Sequence, residues 1–136
     1  MDFEDLAVGQ TASFAKTITE ADILLFAAVS GDTNPVHIDA EAAAASMFKE
    51  RIAHGMLSAS LISTVLGTRL PGPGTIYLAQ NLKFRAPVTI GQTVTATVAV
   101  TALDAARKRA TLSTTCTVAG KTVVDGEATV MVPARG

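Results

Sequence analysis

The chain is 136 residues long, the size of one ordinary domain, with 49% hydrophobic and 17% charged residues. That balance supports a packed core and excludes a disordered chain. Eleven Lys and Arg stand against twelve Asp and Glu, for a net charge of −1, so the wide cationic face that nucleic-acid binding needs is not indicated.

The first elements are read in chain order. Residues 11–17 alternate weakly after Gly9 and predict a first strand. Thr19 opens a helix, with Asp22 closing a capping box in place of the usual Glu. Ile23, Leu24, Phe26 and Ala27 recur at helical spacing and predict its apolar face. Pro35 stops any helix before Asn34. Asp39 can cap a short alanine-rich helix reaching about Phe48. The stretch Ile52–Thr68 carries no acidic or basic residue except His54. At 17 residues, with Ser58, Ser60, Ser63 and Thr64, it is short and polar for a membrane span. It reads instead as a helix that is apolar on nearly every face and must be surrounded by protein.

Leu70-Pro71-Gly72-Pro73-Gly74 is a turn, and the chain beyond it reads as strand: 75–85, 92–103, 109–119 and 121–132. In the second of these Val94, Ala96, Val98 and Val100 point one way and threonines the other. Short connections predict antiparallel neighbours, with a tight hairpin at Ala119-Gly120-Lys121 and a solvated turn at Arg107-Lys108-Arg109. Helices first, strands after and one helix apolar all round predict an α+β domain over residues 1–136, a long antiparallel sheet around a buried helix.

Composition adds an expectation about assembly. The 24 alanines and 18 threonines, with no Trp, one Tyr and five Phe, leave a core of small side chains. A monomer of this size exposes roughly 6,700 Å² by the surface scaling law. A standard interface would cover roughly 800 Å² of it, so a homo-oligomer is expected. The acidic start, Met1-Asp2-Phe3-Glu4-Asp5, is unlike a basic signal peptide, and a cytoplasmic protein is expected. The lone Cys116 lies in an alternating run and reads as a small core residue, with no disulfide or cysteine-based zinc site.

Two clusters could carry chemistry. In Ser30-Gly31-Asp32-Thr33-Asn34-Pro35-Val36-His37, a turn can bring the Asp32 carboxylate and the His37 imidazole over one small volume, where they could hold a water and move protons near neutral pH. The same residues are also good Asx-turn chemistry, and the sequence leaves both readings open. In His54-Gly55-Met56, at the start of the apolar helix, free backbone N–H groups and a bare glycine could stabilise a developing oxyanion. The glycine could equally serve close packing alone. Two histidines 17 apart with scattered aspartates make a poor metal site, and none is expected.

Residues 26–37 resemble the signature of the MaoC-like, hydratase-2 family of (R)-specific enoyl-CoA hydratases. Ala53-His54-Gly55-Met56, Gly74-Thr75-Ile76-Tyr77-Leu78 and Phe84-Arg85-Ala86-Pro87-Val88 extend the resemblance along essentially the whole chain. It is closest to the short bacterial members associated with polyhydroxyalkanoate supply. The resemblance implies a hot dog fold, a homodimer and acyl-CoA tunnels near the interface. It implies that Asp32 and His37 are the catalytic pair that hydrates a trans-2-enoyl thioester, that Gly55 N–H holds the thioester oxygen, and that Asn34 orders the loop. Ser63 and Leu66 fall at pocket-lining positions. No cofactor is implied, since coenzyme A enters as part of the substrate, and neither is a nucleic-acid or membrane partner. A (3R)-hydroxyacyl-ACP dehydratase, a hot-dog acyl-CoA thioesterase and a non-catalytic acyl-binding subunit are the alternatives. The thioesterase normally presents a carboxylate from the central helix, and none lies between Arg51 and Arg69.

Overall fold

The computed structural model describes residues 1–135; Gly136, the last residue of the expected 1–136 domain, lies outside them. Five strands form one antiparallel sheet: β1 (Thr11–Thr17), β2 (Ile76–Phe84), β3 (Thr93–Asp104), β4 (Arg109–Val118) and β5 (Lys121–Met131), in the order β1-β3-β4-β5-β2. Four helices precede all but the first strand: α1 (Glu20–Ser30), α2 (Pro35–Ile38), α3 (Ala40–Ala44) and α4 (Gly55–Thr68). The α+β expectation therefore holds.

Strand alternation builds the inner face. Val94, Ala96, Val98 and Val100 of β3 are buried beside Ala110, Leu112, Thr114 and Cys116 of β4. Their small volume lets α4 lie close enough to touch all five strands. The helix presses Leu61, Ile62, Val65 and Leu66 into that core. At the β4–β5 hairpin Ala119 and Gly120 take φ of 50° and 81°, the paired left-handed residues of a type I′ turn. Gly126 on β5 is a close-approach glycine, because a Cβ there would stand 1.9 Å from the Asn81 carbonyl of β2.

Four expectations need correction. β2 is not a neighbour of β3; the eight residues between them (85–92) carry the chain from one edge of the sheet toward the other, and β2 pairs with β5. α3 ends at Ala44, short of Phe48, because Ser46 folds back, N–H and hydroxyl both donating to the Ala43 carbonyl. On α1 only Ile23 and Ala27 are buried, while Leu24 joins Leu25 and Val29 on the exposed side. Finally, α4 is not enclosed by its own chain: Met56, Ser60, Ser63 and Gly67 face outward. No helix among the described residues is long and apolar enough to cross a membrane.

Candidate active site

The site begins where α1 ends. Thr19 and Asp22 close the expected capping box at its start, and Gly31, at φ 77°, turns the chain out of the helix at its end. Ser30 Oγ then accepts the Asp32 N–H at 3.1 Å. Asp32 Oδ1 accepts the Asn34 N–H at 3.2 Å, and Asn34 Oδ1 accepts the Val36 N–H at 3.3 Å. Pro35 sits at the first position of α2, where a missing donor costs nothing. This ladder of short Asx-type bonds delivers His37 one turn later, its N–H donating to the Asn34 carbonyl at 3.0 Å. The two readings of the Asp32–His37 segment thus coincide, because the turn chemistry is what brings the carboxylate to the imidazole.

His37 is buried, and its Nδ1 lies 2.7 Å from the Ile52 carbonyl. A carbonyl only accepts, so that contact assigns the proton to Nδ1 and leaves Nε2 with a free lone pair. Arg51 fixes the same turn from outside, its Nε donating to the His37 carbonyl at 2.7 Å while another guanidinium nitrogen pairs with Glu20.

His54 is the residue that sequence reasoning missed; it served there only as the start of a helix. Its ring stacks on His37 at 4.0 Å between centroids and 27° between planes. Its Nε2 donates to the Asp32 backbone carbonyl at 2.9 Å. Phe26 covers it from another side at 4.8 Å. The available signals were composition, since these are the chain's two histidines, and the place of His54 in the Ala53-His54-Gly55-Met56 motif. Asp32, His37 and His54 can each offer an atom within 4.8 Å of the others. Each ring commits one nitrogen to a backbone carbonyl.

Asp32, His37, His54 and Gly55 line a cavity of about 590 Å³ whose other walls include Ile52, Phe84 and Val88. Gly55 is the first residue of α4, and no side chain caps that end. The Leu57 N–H turns back to the His54 carbonyl at 3.0 Å, which leaves the Gly55 and Met56 amides at the open end. A Cβ on Gly55 would stand 2.6 Å from Phe84 Cδ1. The glycine therefore serves close packing and an open helix end together.

Ser63 lines a second cavity of about 500 Å³ with Phe26, Tyr77 and Gln80, and Met56 lines both cavities. Leu66 is 1% exposed and packs within the core. The helix turn that points Ser63 outward points Leu66 to the sheet. Cys116 is the inert core residue expected. Burial pushes its thiol up to about 11, and its Sγ donates to the Ser58 carbonyl at 3.4 Å.

Residues 5–127 match the family described as MaoC like domain. The chain is 66% identical to the (R)-specific enoyl-CoA hydratase of Rhodospirillum rubrum, over 98% of this chain and 93% of that one. The chain belongs to the MaoC-like family. Among solved structures, R-hydratase PhaJ1 from Pseudomonas aeruginosa in its unliganded form superposes with a TM-score of 0.93 at 50% identity, covering 98% of this chain and 86% of that one. The (R)-hydratase from A. caviae involved in PHA biosynthesis gives 0.93 at 47% identity, covering 96% and 99%. The MaoC-like segment contains Asp32, Asn34, His37, His54, Gly55 and Ser63, and the hot dog expectation is met by these neighbours.

Proposed function

We propose that this chain reversibly hydrates trans-2-enoyl-CoA to (R)-3-hydroxyacyl-CoA by syn addition of water. The observation that carries the reading is a carboxylate and an imidazole brought within 4.8 Å of each other, on the cavity that the open end of α4 also lines. Asp32 holds the water, and His37 Nε2 takes one of its protons, since Nδ1 is committed to Ile52. The water oxygen bonds to C3, the π pair moves toward the thioester, and the carbonyl oxygen gains charge. Gly55 N–H donates to that oxygen. The imidazolium then returns its proton to C2 on the face that received the oxygen, and the carbonyl re-forms. General acid–base transfer of this kind contributes roughly 10²–10⁴-fold, and one oxyanion donor on the order of 10²–10³-fold. Nothing is oxidised or reduced, so the chemistry calls for no redox cofactor, and coenzyme A arrives as part of the substrate.

Asn34 orders the loop, and Ser63 faces the acyl chain. The working form is a homodimer in the cytoplasm. The support is an edge strand, β2, that shows Ile76, Tyr77, Leu78 and Phe84 to solvent on a chain exposing 7067 Å², and edges of that kind seek a partner. The (R)-3-hydroxyacyl product is the unit from which polyhydroxyalkanoate is built.

The test is loss of enoyl absorbance with crotonyl-CoA, chiral analysis of the product and a parallel free-thiol assay. Production of the (R)-alcohol without thiol release is expected. Thiol release with no hydration would replace the reading with hydrolysis.

A further inference from the structure

We propose that His54 is a positioning residue for the Asp32–His37 pair, tethering one member by an N–H and supporting the other by its ring face; the inference rests on the hydratase reading above. The geometry divides the two tasks. Nε2–H holds the Asp32 carbonyl at 2.9 Å, 22 positions away in the chain, and so ties the catalytic loop to the residue that immediately precedes α4. The ring lies flat against His37 at 4.0 Å, on a face that the Nδ1 bond to Ile52 cannot restrain, because that bond fixes the ring at one point and leaves rotation about it. One imidazole therefore sets the place of the carboxylate's backbone and the tilt of the base.

The other nitrogen shows that packing alone does not account for a histidine here. His54 Nδ1 is buried with no partner among the described residues, which costs free energy that a phenylalanine would avoid. The N–H on Nε2 is what the histidine supplies in return. With only 2% of its surface exposed, His54 has almost nothing to offer a bound thioester. Its effect should appear in turnover, leaving substrate affinity alone.

The experiment compares His54→Phe, which keeps a flat ring without the N–H, with His54→Gln, which keeps an N–H near the Nε2 position. His54→Phe is expected to lower kcat for crotonyl-CoA on the order of 100-fold, the cost of displacing a catalytic group by about 1 Å, with KM within about twofold. His54→Gln is expected to restore most of the lost turnover. Ring ¹⁵N spectra of the unaltered enzyme should show His54 protonated on Nε2 and bare on Nδ1, and this measurement decides if neither variant folds. A His54→Phe enzyme with full kcat, a loss confined to KM, or a proton on His54 Nδ1 would overturn the inference. Full activity in Asp32→Asn and His37→Ala would instead overturn the hydratase reading on which it rests.

Discussion

The loop from Ser30 to His37 and the inner face of β3–β5 obey different rules. In the loop each polar group answers one particular neighbour: Ser30 to Asp32, Asp32 to Asn34, Asn34 to Val36, His37 to Ile52. On the sheet, alanines and valines fill space without individual assignments. Among the described residues there, polar partners are confined to Thr114, which accepts from Gln80 Nε2, and Cys116, which donates to the Ser58 carbonyl. The loop is specified by residue identity and the sheet by residue volume. Substitutions should therefore separate cleanly, with the loop losing chemistry while stability holds and the sheet losing stability while chemistry per folded molecule holds.

The largest effect belongs to Asp32→Asn and His37→Ala. Removing either member of an acid–base pair costs roughly 10²–10⁴-fold, so kcat with crotonyl-CoA should fall by about three orders of magnitude. Asp32 is exposed, and Asn keeps an oxygen that can accept the Asn34 N–H, so its thermal midpoint should stay near that of the parent. Calorimetry beside the kinetic assay checks both halves. A matching loss of stability would dissolve the contrast between loop and sheet.

The same contrast explains what was legible in the sequence. Strand bounds were readable to within about a residue or two because period-2 alternation is local: Thr11–Thr17 fell where 11–17 was expected. The helix read over Ile52–Thr68 ends where expected but begins three residues later, at Gly55, because Ile52 bridges to Thr89. Its burial was not legible, because periodicity reports an apolar face without saying which chain covers it. The place of β2 beyond β5 was hidden for a related reason, since strand order is a long-range property that a short connection does not determine. At the site, Asp32 and His37 were legible through one compact turn. His54 was not, because its contacts cross 22 positions to Asp32 and 17 to His37, and nothing in the spacing announces them.

Gly55→Ala probes the point where the two regions meet. The new methyl would stand 2.6 Å from Phe84 Cδ1. Phe84 is 54% exposed and can swing away, so stability should change by less than about 1 kcal/mol, well under the 1–3 kcal/mol of an overpacked core. The displaced ring and the shifted helix start alter the oxyanion position without removing the donor. The fall in kcat should be on the order of 10–100-fold, at or below the lower end of the roughly 10²–10³-fold range for losing one such donor. The double variant Gly55→Ala with Phe84→Ala should recover part of that loss. No recovery would mean that the methyl itself, and not the moved ring, obstructs the thioester oxygen.

Ala96→Leu sharpens the sheet side. Ala96 is fully buried and registers between Phe14 of β1 and Cys116 of β4. Three extra carbons under α4 should destabilise the fold by about 1–3 kcal/mol. Denaturant titration should show the shift, while kcat per folded molecule stays within about twofold of the parent, as expected for a site that the substitution does not touch.

The smallest effect lies at the join between β1 and α1, where Asp22 is both the capping-box acceptor for the Thr19 N–H and the partner of Lys16 at 2.8 Å. The Lys16 hydrogen bond, the largest influence, holds the Asp22 carboxyl below its usual range against the opposing push of burial, which ranks second, and the Thr19 bonds add to the lowering. A carboxylate whose pKa is depressed on folding contributes stability that is present above its unfolded value and is lost as pH falls through the folded one. Asp22→Asn should therefore cost about 0.5–1 kcal/mol near neutrality, the scale of a cap combined with a partly exposed ion pair. The gap between variant and parent should close as the solution is acidified through and below the ordinary carboxylate range. It should also shrink in high salt, which screens the Lys16 contribution but spares the cap. Chemical denaturation of both proteins across acid pH measures the closure, and a gap that persists in strong acid would assign the effect to side-chain packing and not to charge.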